Sequence, residues 1–359
     1  MSQKHTALFK TALKAMRVTG TDKLVSPFTA GAGVVFMGHH VAPDTNQDFE
    51  PNRTLRISPE FLETVICEVR SRGFDIISLD AVPERLDAAR RTGGRAQPFA
   101  CFTFDDGYRD NREYALPVFE KYNAPLAIYV PTDYADGQGD LWWLRLEHAI
   151  ATAAFVRISM DGAYRRFETE TPEQKQMAYH QIYWWLRTLP ENRARAVAYE
   201  LAQSAGVHAD QLCSDLVMNW DELRDLADHP LVTIGAHTNS HRALAKLDAK
   251  EAKAEMASSI ARIEDELATP CHHFSYPYGS HDAAAEREFE IANDLGLVTA
   301  VTTRKGVLHS DMAGSLTALP RLSLNGDFQD VTYVRTLLSG APFALFNAVN
   351  RLTGKMRQA

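Results

Sequence analysis

The most informative feature of the chain is the segment Phe99-Ala100-Cys101-Phe102-Thr103-Phe104-Asp105-Asp106-Gly107. A short apolar run rich in strand-forming residues leads into two adjacent carboxylates, and Gly107 then ends the run with a turn. Because neighbouring residues leaving a strand point in different directions, one carboxylate can bind a metal ion while the other faces water or substrate. Asp-Asp-Gly is also good turn chemistry, so these residues alone leave a capped turn open.

A second polar motif follows another apolar run far downstream. Residues 231–236 read as a buried strand, and His237-Thr238-Asn239-Ser240-His241 comes directly after it. Two histidines four residues apart fall on one face if the chain turns helically there, so they can share a metal ion. One aspartate and two histidines leave at least one coordination position for water, which is typical of a catalytic metal site. Together the two motifs predict an open, hydrolytic site.

On these residues the chain resembles the polysaccharide deacetylase (NodB-homology) family. That family's first two motifs, T-F-D-D-G and H-[ST]-x-x-H, are matched without a substitution at residues 103–107 and 237–241. The resemblance implies a distorted (β/α) barrel and metal-dependent removal of acetyl groups from amino sugars. It also implies that Asp105 is the catalytic base and that Thr238 orients the site. The implied metal ligands are Asp106, His237 and His241.

The family's third motif, R-x-P-[YF], is present only in part as Ser275-Tyr276-Pro277-Tyr278. Serine stands where the family usually has the arginine that orients the base. By resemblance, the backbone N–H of Tyr278 donates to the oxyanion that forms when water attacks the amide. A rigid turn after a strand is the alternative for this segment.

The last family motif, L-x-H, supplies the general acid, and the segment in its place is Leu319-Pro320-Arg321. Arginine does not lose its proton at physiological pH, so Arg321 cannot protonate the leaving amine. We expect Arg321 instead to reach across the barrel to Asp105 and replace the missing arginine. The general acid stays unassigned, and Asp105 itself can serve as both base and acid. The histidines that remain as candidates are His39, His40, His281 and His309.

The expected chemistry is metal-assisted amide hydrolysis that releases acetate and a free amine. Zinc is the default ion for two histidines and one aspartate, although cobalt, nickel and manganese also suit such a mixed site. The expected substrate is an N-acetylated amino sugar within an oligosaccharide, a glycolipid or a polysaccharide precursor. Two alternatives stay open, namely a non-catalytic, metal-containing carbohydrate receptor and a hydrolase of another acyl or amide group.

Strand and helix patterns alternate along the chain, as an α/β fold requires. The motif residues follow strand ends, where barrel enzymes place their chemistry. The predicted strands are 33–38, 74–79, 99–104, 126–131, 231–236, 272–277, 298–303 and 318–323, and the predicted helices are 58–72, 112–122, 248–267 and 283–295.

The chain between the fourth predicted strand and the histidine motif, about residues 133–218, is longer than two barrel elements require. We therefore predict an inserted, mainly helical subdomain there. Asp161-Gly162 between two strand-like runs predicts a β-hairpin within it. Four tryptophans also lie there, and we expect core positions for all but Trp142, which follows a polar loop. The predicted organisation is an N-terminal helical extension at 1–30, barrel segments at 31–132 and 219–327 around the insert at 133–218, and a C-terminal helical extension at 328–359.

Charge is distributed unevenly along the 359 residues. The net charge is −8, yet residues 1–25 carry five basic side chains and one acidic one, and residues 335–359 carry four basic side chains and none acidic. The acidic remainder argues against a nucleic-acid partner. Basic amphipathic ends can lie on an anionic membrane, or both ends can be helices packed on the barrel. The apolar contacts considered for a membrane are Leu8, Phe9, Leu13, Phe343, Leu345 and Phe346.

The N-terminus lacks the apolar core of a signal peptide, because Lys4, Lys10, Lys14 and Arg17 interrupt it. The four cysteines are widely spaced and form no CxxC motif. We therefore expect a cytoplasmic protein, or one peripheral to the inner face of the membrane.

Overall fold

The computed structural model describes residues 3–94, 96–207 and 211–352. The strands are β1 Gly33–Gly38, β2 His40–Val41, β3 Arg56–Ile57, β4 Asp75–Ile76, β5 Phe99–Phe104, β6 Leu126–Val130, β7 Phe155–Met160, β8 Ala163–Glu168, β9 Val232–Ala236, β10 His273–Ser275, β11 Thr299–Lys305 and β12 Leu319–Ser323. The helices are α1 Gln3–Val18, α2 Thr21–Thr29, α3 Pro59–Ser71, α4 Val82–Arg91, α5 Leu116–Lys121, α6 Thr132–Ala135, α7 Trp142–Thr152, α8 Pro172–Leu186, α9 Glu191–Ser204, α10 Leu212–Leu216, α11 Trp220–Ala227, α12 Ala249–Leu267, α13 Glu286–Asp294, α14 Val331–Leu338 and α15 Ala341–Leu352.

Seven parallel strands close into a barrel in the order β1-β12-β11-β10-β9-β6-β5, and β5 returns to β1. The register of the closing pair runs from Gly33 opposite Phe99 to Gly38 opposite Phe104. Surrounding helices cover the barrel, which confirms the predicted (β/α) barrel. Both faces of β1 and β5 are buried, as expected of strands with helices outside and a packed interior.

The predicted strand 74–79 is wrong in extent. Only Asp75–Ile76 form a strand, because the chain enters a 3-10 helix at Leu79–Ala81. The short β4 pairs with the first two residues of β5, whereas β6 pairs with its last two residues. As a result β4 pairs only with β5 and is not one of the seven strands that close the barrel.

Alternation along β5 sends its residues to two different layers. Cys101 packs with Val35, Tyr129 and Val301 in one buried cluster, while Phe102 belongs to the cluster that covers the barrel with helices. A period of two therefore places Thr103 and Asp105 on the same side as Cys101.

The segment predicted as an insert contains the expected hairpin. β7 and β8 pair antiparallel, and Asp161 and Gly162 at the turn both have positive φ, of 52° and 81°. Helices α7 to α10 follow or flank the hairpin and share a hydrophobic core of their own around Leu146, Ile182 and Leu201. The domain boundaries remain a prediction. Residues 208–210 of the insert, and residues 1–2 and 353–359 of the predicted terminal extensions, lie outside the described residues.

Candidate metal centre and base

The polar motif residues gather at the carboxyl ends of the barrel strands. Asp105 and Asp106 follow β5, His237 begins the loop after β9, and Arg321 lies within β12. All four side chains are almost completely buried. A cleft of about 650 Å³ reaches them from the surface and is lined by both aspartates and both motif histidines. Its size is typical of small-ligand pockets.

Arg321 holds Asp105 through two parallel hydrogen bonds. Its Nη1 donates to Asp105 Oδ1 at 2.8 Å and its Nη2 donates to Oδ2 at 2.7 Å. The remaining N–H groups donate to the side chains of Thr103 and Ser275, both at 3.0 Å, and to the carbonyl of Thr302 at 2.9 Å. Every guanidinium donor is therefore satisfied, which a buried arginine requires.

This contact is the one expected from the two departures of the sequence from the family motifs. Ser275 is small, and its hydroxyl accepts a hydrogen bond from Arg321, so the guanidinium contacts the residue that stands in place of the family's arginine. Burial alone would raise the pKa of Asp105, but the charge and hydrogen bonds of Arg321 hold that pKa below its usual range. Asp105 is accordingly ionised at neutral pH.

Asp106, His237 and His241 form a compact group of possible metal ligands. Their nearest ligand atoms lie within 4.8 Å of one another, and all three residues are buried. Asp106 Oδ1 is 3.5 Å from His237 Nε2 and 3.2 Å from His241 Nε2. Asp106 Oδ1 is also a buried oxygen without a hydrogen-bond partner in the described part of the chain. This converging donor set fits a divalent ion.

The tautomer of His237 favours metal binding. Its Nδ1 donates to the carbonyl of Ser275 at 2.6 Å, which leaves the lone pair of Nε2 facing Asp106. Burial lowers the pKa of His241 to about 4, so its imidazole is neutral at physiological pH. Neutral imidazoles are the form that coordinates metal ions.

The loop from His237 to His241 does not form the helical turn that would place two histidines four residues apart on one face. Thr238 and His241 have positive φ values of 65° and 57°, which fold the loop back on itself. Thr238 Oγ1 accepts a hydrogen bond from the N–H of His241 at 2.9 Å, so the threonine ties the two ends of the motif together. Such left-handed conformations are costly for a β-branched residue and require support from the surroundings.

Two groups from distant helices supply that support. Glu255 of α12 accepts hydrogen bonds from the N–H groups of Asn239 and Ser240, both at 3.0 Å. Arg195 of α9 donates to the carbonyls of Ser240 and His241 at 2.8 and 3.0 Å. The insert therefore contacts the metal-ligand loop directly. Arg195 was not predicted from the sequence, because it belongs to no recognisable motif.

Tyr278 lies over the candidate metal group and is held from both sides. Its ring centroid is 4.9 Å from that of His241, and the guanidinium of Arg187 lies 3.6 Å from its ring centroid. Trp142 Nε1 donates to the Tyr278 hydroxyl at 2.9 Å. The backbone of Tyr278 is left-handed, with φ of 61°, and its N–H has no acceptor within the described residues.

The tryptophan prediction is wrong in part. Trp142, the expected exception, is buried by this hydrogen bond and by stacking on Tyr183. Trp143 is buried as expected although it borders the cleft, whereas Trp184, expected in the core, lines the cleft. Trp184 is half exposed because α8 turns that side toward the cleft. An indole N–H that reaches a buried hydroxyl lets a tryptophan enter the core, which local sequence does not reveal.

Among the four histidines considered as the acid, His39 lies in the cleft. Its Nε2 is 4.0 Å from Asp105 Oδ2, and burial lowers its pKa. His40 is engaged elsewhere, because its Nδ1 is 2.6 Å from Asp110 and its ring stacks on Tyr108. His281 and His309 do not line the cleft.

One family model and several solved structures are similar to this chain. The family model described as polysaccharide deacetylase matches residues 178–300. A Streptococcus pyogenes deacetylase, PplD, solved in complex with acetate, superposes with a TM-score of 0.55 at 15% identity, covering 85% of this chain and 97% of that one. IcaB from Ammonifex degensii gives a TM-score of 0.50 at 16% identity, covering 86% of this chain and 97% of that one.

No curated protein sequence matches the chain. The structural similarities, at such low identity, establish the shared barrel. The family model matches the part of the chain that contains both histidines and the segment from Ser275 to Tyr278. Over residues 178–300 the sequence thus matches the polysaccharide deacetylase family, and this match together with the shared barrel supports a hydrolase that acts on amide bonds.

Proposed function

We propose that this protein is a metal-dependent N-deacetylase of an amino sugar within an oligosaccharide, a glycolipid or a polysaccharide precursor. The observation that carries the proposal is the placement of an ionised, arginine-clamped Asp105 beside the buried group of Asp106, His237 and His241. A base next to an open ligand set is the arrangement that metal-assisted hydrolysis requires.

Asp106, His237 and His241 would hold the ion, and zinc is the first choice for this donor set. When bound, such an ion supplies Lewis-acid polarisation of the acetamide carbonyl and a more acidic water. Two imidazoles and one carboxylate also accept cobalt, nickel or manganese. The choice among these ions is therefore a matter for metal analysis of the purified protein.

Asp105 takes the proton from the attacking water in this proposal. Its lowered pKa keeps it ionised, and the two hydrogen bonds from Arg321 fix the orientation of its carboxylate. The unpartnered backbone N–H of Tyr278 donates to the oxyanion that forms when the carbonyl carbon becomes tetrahedral. The left-handed backbone at Tyr278 is strain of the kind that accumulates at active sites.

His39 delivers the proton to the leaving amine. Asp105 holds the proton taken from water, and its Oδ2 lies 4.0 Å from His39 Nε2, a separation that one water molecule can span. Because burial lowers its pKa, His39 is neutral before the reaction and can pass the proton on. The carbon–nitrogen bond then breaks, and the products are acetate and a free amine. General acid–base steps of this kind contribute about a hundredfold to ten-thousandfold to a rate.

Aromatic side chains of the insert provide a surface for sugar rings. Trp143, Tyr179, Tyr183 and Trp184 all line the cleft that ends at the aspartates. Large aromatic faces pack well against apolar ring surfaces, and their polar edges bind hydroxyls. These residues support a carbohydrate as the substrate.

Acetate release by zinc- or cobalt-loaded protein tests the proposal. The substrate panel contains N-acetylated chitooligosaccharides, nucleotide-activated amino sugars and lipid-linked amino sugars. We expect release that disappears with a chelator and with Asp105→Asn, while Asp221→Asn, an exposed aspartate on α11, retains full activity. If the metal-loaded protein released no acetate from any substrate of the panel, the result would contradict N-deacetylation. Glycan binding without product in either form would identify a carbohydrate receptor, and release of another acid would identify a different acyl group.

A further inference from the structure

Three helices at the chain termini expose large apolar side chains to solvent. These residues lie on α1, α2 and α15 or directly at their ends, and we refer to them as the terminal patch. Phe28 is the most exposed of them, at 88%. The members of the terminal patch are Leu8, Val18, Leu24, Phe28, Leu345, Phe346 and Val349.

The helices that carry the terminal patch pack against one another and against α14. Leu13 of α1 is buried, and Phe9 contacts Phe328 edge to face at 5.8 Å. At the end of α2, Thr29 Oγ1 donates to the carbonyl of Ser339 at 2.6 Å. Leu13 and Phe9 therefore pack inside the protein and are not available for contact with a membrane. The side chains of Leu8, Leu345 and Phe346 remain exposed to solvent.

The helices that carry the terminal patch contain more basic than acidic side chains. Within residues 1–25 the single acidic residue is Asp22, which is buried and paired with Arg17 at 2.8 Å. Lys14 and Lys23 are exposed on the same helices. Residues 335–359 add four basic residues and no acidic one, so the rest of the chain carries a charge of −16. The terminal patch therefore combines exposed apolar side chains with basic ones on the same helices, while the rest of the sequence is acidic.

Helix α1 also borders the substrate cleft. Thr6, Ala7 and Lys10 line the cleft, and Leu8, the residue after Ala7, is exposed as part of the terminal patch. About 100° of helix rotation separates consecutive residues, so one helix forms an edge of the cleft mouth and of the patch.

We propose that the terminal patch docks on an anionic lipid bilayer and that the substrate of the cleft is an amino sugar attached to a membrane lipid. Apolar side chains with a basic rim are the features of helices that lie in the membrane interface. A second copy of this chain would bring like charges together, which opposes self-association through this patch. The choice of substrate class rests on the deacetylase activity proposed above, whereas the docking itself does not.

Cosedimentation with lipid vesicles tests the docking. One set of vesicles contains equal parts of phosphatidylglycerol and phosphatidylcholine, and the other contains phosphatidylcholine alone. We expect binding to the first set that weakens with added salt, and at least about tenfold weaker binding for the double variant Phe28→Glu/Phe346→Glu. Tyr164→Glu on the hairpin is the matched control, because Tyr164 is also 88% exposed, and it should bind like the wild type.

A deacetylation assay with two forms of one amino sugar separates the docking from the proposed activity. The double variant should hydrolyse a soluble N-acetylated oligosaccharide at the wild-type rate and a vesicle-anchored form about tenfold more slowly. The proposal would be overturned if the wild type and the double variant hydrolysed the vesicle-anchored form at equal rates, or if the double variant bound anionic vesicles as tightly as the wild type. Light scattering that shows a dimer in the wild type and a monomer in the variant would also overturn it. Wild-type protein that binds vesicles but hydrolyses neither form would instead refute the deacetylase activity.

Discussion

Replacement of Arg321 by methionine tests the clamp on Asp105. In the wild type both oxygens of Asp105 accept hydrogen bonds from this guanidinium, and neither residue is accessible to solvent. Methionine is a long, flexible side chain that fills space without charge. The variant therefore leaves a buried carboxylate that has lost its compensating charge.

The expected magnitude follows from the geometry. Hydrogen bonds of 2.7 and 2.8 Å place the two charge centres roughly 4 Å apart, where a unit pair interacts by about 4 kcal/mol at an effective dielectric constant near 20. That energy corresponds to about a thousandfold change in the proton affinity of Asp105. We expect kcat/KM at neutral pH to fall by about a hundredfold to a thousandfold, and the acid limb of its pH profile to move to higher pH.

The ion pair between Arg321 and Asp105 should also make protein stability depend on pH. The pKa of Asp105 is lowered in the folded wild type, so its stabilisation is present above the ordinary carboxyl range and is lost as the pH falls through the lowered value. Removing one partner of a buried ion pair costs about 3–5 kcal/mol of unfolding free energy. The difference in Tm between the wild type and Arg321→Met should thus be large at neutral pH and should narrow in acid.

The measurements are kcat/KM for acetate release across pH and Tm by calorimetry, both on zinc-loaded protein. Arg321→Lys is the charge-preserving control, and its activity should be intermediate because an ammonium group cannot replace the two parallel bonds. If Arg321→Met keeps the wild-type acid limb and a kcat/KM within about twofold of the wild type, Asp105 is not the base whose pKa this arginine sets.

Three further predictions concern residues around the same site. His39→Gln should lower kcat by about a hundredfold or more with zinc affinity unchanged, and a normal kcat would exclude His39 as the acid. Arg195→Ala should weaken zinc binding about tenfold to a hundredfold, because the loop that carries His241 loses two hydrogen bonds. The zinc affinity is measured by competition titration with a chelator, and an unchanged affinity would show that Arg195 does not support the loop. Trp142→Phe should cost about 1–3 kcal/mol of unfolding free energy, because it removes the hydrogen bond to Tyr278 and part of the ring that stacks on Tyr183. It should also reduce kcat more than it raises KM, and an unchanged kcat in steady-state kinetics, beside the loss of stability in a denaturant titration, would indicate a purely structural role.

Local sequence predicted the elements whose signals lie within a few residues. The apolar run before Asp105 is β5 to the residue, and the Asp-Gly turn predicted the hairpin of β7 and β8. In these cases turn chemistry and side-chain alternation act between near neighbours, so a short window contains the physical cause. The strand at 74–79 was shorter than predicted, because a 3-10 helix competes for its last residues.

The sequence alone therefore predicted where the barrel strands lie along the chain, the two aspartates and the two histidines of the candidate site, and the absence of two usual family residues. Tertiary structure alone decided how the site is completed. Asp105 and Arg321 are 216 positions apart, and their contact depends on the closure of the barrel between β5 and β12 by way of β1. His39, Arg195 and Trp142 likewise acquire their positions from other strands and from the insert. Contacts between residues distant in the chain follow from the packing of whole elements, which no local pattern specifies.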